Sequence, residues 1–505
     1  MGIYLRYLYL IVLIGLGQLC KAQDVLDENV SGHYKNLGIG AILDSLHHQY
    51  EIDFSYDPSI LRTDSVITIS FTETALDTVL NDIFQQKDLS LQSIDRQVII
   101  SIYKRDVSVK NYITLSGEVT SQQNYQKIPL VNISVKGRPI GTTTNMEGNY
   151  VFLIPKEYVG EELYMSAIGY RSELFQVPLA DTVLNVRLKQ ETIQIKEIKV
   201  RFIRPDEIVK NFIRNIDQNY FTESMLLTGF FRESIKQDDR YVEVSEAVLD
   251  IYKSSYLKTY DIEEARFVKG RKKVENKGVS IARLKLAGGP ALFSGLDVAK
   301  HLDFMSADND ANYFYTYKGK GIVHDRVVYK VGFKPIFEVG DLYYEGEFSI
   351  DVESFALIRA DFRMTKRTLR NSDQILIQKH ARKVKSNPIF TSYMVDYRPY
   401  KGKWILNSVK GELIIDMHDK RKKIKSQYHA IAELLITNAQ DGEGRRIKNS
   451  DRFKTNFVLA DKIIGYDPMF WKDYNVIRPE EELEKVFKSS AVEINVVPIP
   501  KKTKP

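Results

Sequence analysis

The sequence predicts a multi-domain, mainly β protein, on three observations. The chain has 505 residues, 43% of them hydrophobic, which is enough for three or four cores and too much for one. Its 30 Tyr and 24 Phe against 2 Trp suit pleated, half-buried surfaces. Through most of its length, apolar and polar residues alternate in short runs punctuated by turn residues.

Residues 1–22 read as a secretory signal, with Arg6 in the n-region and an apolar stretch from Leu8 to Leu16 too short to span a bilayer comfortably. Cleavage is expected after Ala22. A lipoprotein signal modified on Cys20 is the rival, and Leu19 stands where such a signal needs Gly, Ala or Ser. An uncleaved N-terminal anchor is the third reading. Cys20 is the sole cysteine, so the mature chain is expected to lack disulfides, thiolate metal sites and a cysteine nucleophile. Losing the signal removes Arg6 and Lys21 and no acid, lowering the net charge from +6 by two. This near-neutral balance gives no reason to expect a nucleic-acid partner. Arg271-Lys272-Lys273, Arg421-Lys422-Lys423 and Lys501-Lys502 are basic runs of the kind that touch anionic lipid or polysaccharide, although such runs are usually solvated faces and turns.

The first module is expected over residues 31–104. Leu76, Val79, Leu80, Ile83 and Phe84 recur at helical spacing, with Thr74 and Asp77 as an N-cap pair, and Leu37, Ala41, Ile42 and Leu46 mark an earlier helix. Strand-like runs cover Ile52–Tyr56, Val66–Phe71, Leu89–Ile94 and Val98–Ile102, the last two joined by an Asp95-Arg96 turn. The order Ile42-Leu43, Tyr50, Phe54-Ser55-Tyr56-Asp57, Val66, Phe71, Leu76, Val79-Leu80, Leu89-Ser90-Leu91 and Val98-Ile99-Ile100 resembles the secretin and TonB short N-terminal domain. That resemblance implies a periplasmic module for protein contacts, often with anti-sigma regulators.

Residues 112–189 read as strand and turn alone, punctuated by Gly137, Gly141 and the turn Asn145-Met146-Glu147-Gly148, where Gly148 is expected at a backbone angle that a side chain would oppose. The stretches Ile128–Gly137, Gly141–Tyr150 and Leu163–Tyr170 resemble the carboxypeptidase regulatory-like β-sandwich. The resemblance implies an Ig-like or prealbumin-like fold and a non-catalytic module that also precedes outer-membrane receptors. A linker, residues 190–204, holds Thr192–Val200, which is similar to the strand following this sandwich in TonB-dependent receptors. That family's plug and barrel are not expected in the residues that follow.

Residues 205–475 open with a helix expected over Asp206–Tyr220, whose Ile208, Phe212, Ile213 and Ile216 share a face. An antiparallel meander follows: Met225–Phe231, Tyr241–Tyr252, Val327–Phe333, Leu342–Ile350, Phe355–Met364, Phe390–Tyr397, Trp404–Asp416 and Gln427–Ile436. Glu345-Gly346-Glu347, Ile350-Asp351, Ala356-Leu357 and Lys403-Trp404 resemble the half-barrel of lipoprotein-carrier proteins. An open half-barrel and a closed sandwich are both compatible with the pattern. Asn219-Tyr220, Phe230–Glu233, Glu243–Ala247 and Phe470–Asn475 resemble an uncharacterised family of exported proteins. Residues 476–505 are expected to hold one helix and a loose tail.

The motifs offer no catalytic set, no metal site and no cofactor site, and ligand- and partner-binding residues are unassigned. His48 and Glu51 have a zinc-like spacing at the end of a helix, with no peptidase domain around them. Asp308, Asp310 and Asn312 follow a calcium-loop spacing, but Tyr313 and Gly319 replace its glycine and its bidentate acid. Gly319-Lys320-Gly321 reads as a hairpin turn, and Gly288-Gly289-Pro290 as a flexible loop, with the mouth of a cavity as its functional reading. The expectation is a non-enzymatic binding or assembly accessory in the periplasm or on the periplasmic face of the outer membrane, with envelope proteins as partners. An outer-membrane receptor or an anti-sigma regulator would suit. The alternatives are a signalling adaptor, a lipid or glycan carrier and, last, a hydrolase.

Overall fold

The computed structural model describes residues 25–56, 65–84, 89–94, 96–102, 111–191, 204–274, 285–286, 289–301, 313–338, 342–372, 376–379, 384–420, 423–441, 446–454, 457–463 and 474–488. The chain divides into two compact units, Met1–Lys110 and Asn111–Pro505. The signal, the Asp308–Asn312 spacing, Thr192–Val200 and the tail after Lys488 lie outside the described residues. Among the described residues no helix is long and apolar enough to cross a membrane.

The first unit holds β1 (Asn29–Gly38), α1 (Ile39–Tyr50), β2 (Asp53–Tyr56), β3 (Val66–Ala75), α2 (Leu76–Phe84), β4 (Leu89–Ile94) and β5 (Gln97–Ile102). β1 pairs with β3, and β2-β5-β4 form a second sheet in which β2 and β5 run parallel. α2 buries the face its spacing foretells; in α1 the buried face is Ile39, Ile42, Leu43 and Leu46, whereas Leu37 belongs to β1 and Ala41 is exposed, and the two helices pack through Ile42, Leu43 and Leu46 with Val79, Leu80 and Ile83. The expected cap is absent: Thr74 donates to the Thr72 carbonyl, and Asp77 accepts from Thr78. α2 follows directly on β3, so its entry is set by the strand.

The second unit begins with a sandwich of β6 (Tyr112–Ser121), β7 (Asn132–Val135), β8 (Gly141–Thr143), β9 (Asn149–Pro155), β10 (Glu162–Ser166), β11 (Glu173–Gln176), β12 (Thr182–Val183) and β13 (Val186–Leu188). One sheet runs β11-β10-β7-β8, and the other joins β12, β6 and β13 with β9 on β6. Alternate residues of β6 and β9 enter the core around Leu115, Val119, Phe152 and Ile154. Gly148 has φ +72° and a Cβ there would lie 2.7 Å from the Val119 carbonyl oxygen, which explains the glycine twice over.

The remainder contains α3 (Pro205–Arg214), α4 (Ile216–Asn219), β14 (Met225–Gln237), β15 (Arg240–Lys253), β16 (Glu264–Val274), β17 (Lys285–Leu286), α5 (Gly289–Ser294), β18 (Tyr313–Val323), β19 (Arg326–Pro335), β20 (Tyr344–Asp351), β21 (Leu357–Met364), α6 (Lys366–Arg370), β22 (Ile377–Lys379), β23 (Val384–Tyr400), β24 (Lys403–Asp419), β25 (Ile424–Asp441), α7 (Leu459–Lys462) and α8 (Glu481–Lys488). Ten of these strands make one antiparallel sheet, ordered β16-β15-β14-β25-β24-β23-β21-β20-β19-β18. Among the described residues the ten strands form one sheet whose edges, β16 and β18, do not pair with each other.

One face of this sheet, the inner one, carries the main core. Ile208, Val209 and Phe212 of α3 and Phe293 of α5 pack there against Phe231, Leu249, Phe348 and Tyr397. Gly289-Pro290 is therefore no loose mouth to a cavity: it opens α5 and is buried, Pro being pre-set for a first helical turn. Gly319-Lys320-Gly321 is not a turn either. It lies within β18 beside a bulge between Tyr317 and Lys320, and the hairpin turns at His324-Asp325, both at positive φ (50° and 59°).

Candidate functional site

The outer face of the ten-stranded sheet is divided between the sandwich and an open groove. Side chains alternate along each strand, so Asp396 and Arg398 of β23 point outward while Val395 and Tyr397 enter the core. The His324-Asp325 turn is driven against the sandwich. His324 Nδ1 lies 2.8 Å from Ser166 Oγ, and its Nε2 is 3.1 Å from both Asp396 carboxylate oxygens. Asp396 also accepts from Asn407 Nδ2 at 3.2 Å. Asp325 accepts from the Tyr164 hydroxyl at 3.2 Å and from the Ser172 N–H at 3.0 Å. Arg398, fully buried, donates to the Pro139 carbonyl at 2.5 Å. Burial pulls its guanidinium down to about 10, with the Tyr400 hydroxyl opposing the shift.

A strap from the C-terminal part of the chain closes this junction. Asn475 clasps Leu153, accepting its N–H at 2.7 Å and donating to its carbonyl at 3.0 Å. Arg232 of β14 donates to the Ile477 carbonyl at 2.6 Å, and the Glu147 carboxylate accepts the Glu481 N–H at 3.1 Å. Phe230, Leu435 and Ile477 form a small apolar cluster of their own beneath it. Arg271 of the basic run at 271–273 is buried here and bonds Glu246 at 2.6 Å, while Lys272 reaches the Ala460 carbonyl. For these two residues the solvated-turn reading is corrected: partners far away in sequence draw them in.

Further along β18–β23, on the same outer face, lies a groove of about 570 Å³ lined by Phe314, Lys318, Glu347, Asp361, Arg363 and Phe390, among others. Its acids are already matched. Arg363 holds Glu345 at 2.8 Å, Lys330 holds Glu347 at 3.1 Å, and Arg359 holds Asp361 at 2.6 Å. Lys318 and Lys334 have no carboxylate partner among the described residues; Lys334 Nζ stands 5.8 Å from the Phe314 ring centre. Phe314 and Phe390 stay substantially exposed.

Two buried clusters deserve comparison with catalytic chemistry. In the first, the Lys253 ammonium lies 2.8 Å from Glu263 and 2.5 Å from Asp297, and Lys300 donates to Glu263 at 2.7 Å. His301 Nε2 contacts Glu263 at 2.7 Å, and the Tyr256 and Tyr397 hydroxyls donate to Asp297. Burial alone would raise the Glu263 carboxyl; Lys253, His301 and Lys300 overcome it and hold the carboxyl well below the usual range. Lys300 is pushed down, by burial first and then by Lys253. Asp297 and Lys300 have no exposed surface, so the cluster is a charge-balanced brace between the 254–263 and 297–301 segments. The second, Ser166–His324–Asp396, has the residue types of a nucleophile, base and orienter. Ser166, at the end of β10 of the sandwich, has no exposed surface.

His48 is exposed on the last turn of α1, and Glu51 caps that helix in a left-handed conformation, its N–H bonded to the His47 carbonyl. Among the described residues no group of three or more His, Cys, Asp or Glu is placed to hold a metal ion. No sequence motif points to His324, Asp396, Lys253 or Lys300, because their partners lie tens to more than a hundred residues away.

Residues 115–200 match the CarboxypepD_reg-like domain family. The chain carries a CarboxypepD_reg-like domain. That domain is the sandwich which His324 and Arg398 fasten to the large sheet. No curated protein matches this sequence. Among solved structures, a DUF1329 family protein from Desulfovibrio piger is similar at 10% identity and TM-score 0.23, over 49% of this chain and 99% of that one. The Pseudomonas aeruginosa MucA/MucB complex is similar at 10% identity and TM-score 0.15, over 47% and 98%. A Bacteroides fragilis protein described as membrane-associated and of unknown function is similar at 9% identity and TM-score 0.13, over 65% and 99%. At these scores none of the three carries an argument about fold or role.

Proposed function

We propose that this chain is an exported, non-enzymatic binding or assembly accessory of a Gram-negative cell envelope, working through protein contacts on the periplasmic side of the outer membrane. The observation that carries the reading is the division of the outer sheet face. The CarboxypepD_reg-like domain is locked onto one part through buried polar contacts, and the adjoining part is left as an open groove with exposed Phe314 and Phe390. A fixed scaffold beside exposed aromatic rings is the arrangement of a contact surface. The inner face, filled by α3, α5 and their neighbours, favours protein contacts over carriage of a lipid within the sheet. In this reading the N-terminal unit is a second contact module of the secretin and TonB short N-terminal kind, and residues 1–22 are removed on export.

The test is site-specific photo-crosslinking from position 392, in the groove, in cells producing the full-length chain. Discrete adducts with envelope proteins are expected, together with a mature N-terminus at Gln23. Retention in the cytoplasm, or turnover of ester or peptide substrates abolished by Ser166→Ala, would overturn the proposal.

A further inference from the structure

Residues 254–263, which join β15 to β16, turn their largest apolar side chains into solvent. Tyr260 is 97% exposed, Ile262 71% and Leu257 57%, three such residues within six positions. The backbone that carries them is held from below. His301 Nδ1 donates to the Thr259 carbonyl at 3.0 Å, and Lys300 donates to the Asp261 carbonyl at 2.5 Å and to Ser254 Oγ at 2.6 Å. Tyr256 is buried, with its hydroxyl on Asp297 at 2.9 Å. Two local turns complete the loop, the Lys258 N–H on the Ser255 carbonyl and the Asp261 N–H on the Lys258 carbonyl. The buried charge brace thereby holds out a tip that water disfavours.

We infer that this tip enters the interfacial layer of an anionic phospholipid membrane. Tyrosine suits the headgroup level, with an apolar ring and a polar hydroxyl, and leucine and isoleucine suit the acyl boundary below it. A side chain with almost all its surface exposed projects from its surroundings, whereas a stable protein partner is met by a broad patch of some twenty or more residues, about 800 Å² a side. The charge around the tip favours the same occupant. Residues 446–454 run beside 261–266, with the Ile447 N–H on Glu264 and the Phe453 N–H on the Ala265 carbonyl. Here Asp261 is matched by Arg446 at 3.0 Å, Glu264 by Arg452 at 2.7 Å, and Asp250 by Arg266. Lys258, Lys448 and Lys454, all exposed, then stand against Asp451, which leaves a positive surplus for anionic headgroups. The tip lies at the β16 edge of the sheet and the groove on β18–β23, toward the other edge, so lipid contact is separable from the protein contact proposed above.

The experiment uses the chain from residue 23 onward, which contains no cysteine, so a single environment-sensitive nitrobenzoxadiazole dye is attached at Tyr260→Cys. With vesicles of equal parts phosphatidylglycerol and phosphatidylcholine, its emission is expected to shift to the blue and brighten about threefold, as for a group entering the headgroup layer. The same dye at Leu179→Cys, 86% exposed on the sandwich, is expected to stay unchanged. Combining Leu257→Ser, Tyr260→Ser and Ile262→Ser is expected to weaken vesicle co-sedimentation about tenfold at an unchanged melting temperature, because largely exposed side chains add little to the fold. Lys258→Glu with Lys448→Glu is expected to weaken it about tenfold on the anionic vesicles and not on phosphatidylcholine alone. Equal sedimentation of the triple-serine variant overturns the inference, as does a dye that responds at position 179 and not at 260. So does a dimer in sedimentation velocity that the triple-serine change dissociates, in a chain that ignores vesicles, which would assign the tip to a second copy. None of these results bears on cross-links from position 392, so the two proposals fail independently.

Discussion

His324 joins Ser166 of the sandwich to Asp396 of the large sheet, with 2.8 Å on one ring nitrogen and 3.1 Å on the other. The Asp396 carboxylate at Nε2 can only accept, and the Ser166 hydroxyl at Nδ1 can either donate or accept, so the ring is held between the two elements in either arrangement of its Nδ1 proton. Replacing His324 by Ala removes both contacts and leaves Asp396 with the Asn407 amide as a side-chain partner. The expected cost is about 2–3 kcal/mol, since a buried polar group loses its partner. Calorimetry is expected to show one transition for sandwich and sheet in the parent chain and two in the variant. A single, unshifted transition in His324→Ala would place the strength of the junction elsewhere, in Arg398 or the strap.

Glu233, on the inner face of β14 opposite Ser245, gives the fold an alkaline weakness. Burial first, and then the Glu243 carboxylate, raise it from an ordinary value of 4.5 to about 8. The folded chain therefore keeps a proton that the unfolded chain releases. The resulting contribution is complete below pH 4.5 and is lost as pH rises through about 8. Glu233→Gln cannot ionise, so its melting temperature is expected to match the parent near pH 5 and to exceed it at pH 8.5. Parallel melting curves across that range would mean that Glu233 titrates normally.

The Lys253–Glu263–Lys300–Asp297 brace behaves in the opposite sense. With Glu263 held below its ordinary value, its contribution is present above that value and is lost as pH falls through the lowered one. Glu263→Gln is expected to flatten the acid limb of the stability profile and to leave Lys253 and Lys300 to repel each other. Lys300→Met strips one ammonium from a cluster with no solvent access and is expected to cost about 3–5 kcal/mol. Urea unfolding at neutral pH reads this directly, and a loss under about 1 kcal/mol would show that the vacated space admits water or a new partner.

How far such features can be read from sequence depends on whether their partners are local. The strands around Val327–Phe333 and Trp404–Asp416 are legible because one face is apolar at every second residue, and that pattern needs no knowledge of the neighbour. β18 is hidden for the opposite reason: Lys318-Gly319-Lys320-Gly321 carries turn chemistry, and only pairing with β19 makes it a bulged strand. Arg271 looks solvated until Glu246, 25 residues away, supplies its counter-charge. His324 looks like a turn residue, which it is; its contact to Ser166 spans 158 positions that no motif encodes. The groove is legible in neither way, since it is made by five strands whose charges pair across the sheet.

Gly346 shows how tightly the groove is built. It lies in β20 opposite Phe362 of β21, and a Cβ at this position would come 2.2 Å from the Asp361 carbonyl oxygen and 2.7 Å from Phe362 Cα. Both are backbone atoms or rigidly tied to the backbone, so relief requires the two strands to separate. Gly346→Ala is therefore expected to destabilise the chain by about 1–3 kcal/mol, the range for overpacking a tight site. The displacement also moves Glu345 of β20 away from Arg363 of β21, which holds it at 2.8 Å. Faster amide exchange is expected in β20 and β21 with little change in β14 and β15, four or more strands distant in the sheet. Uniform acceleration across all ten strands would instead mean that the sheet opens as one cooperative body, and that the groove has no independent flexibility for a partner to exploit.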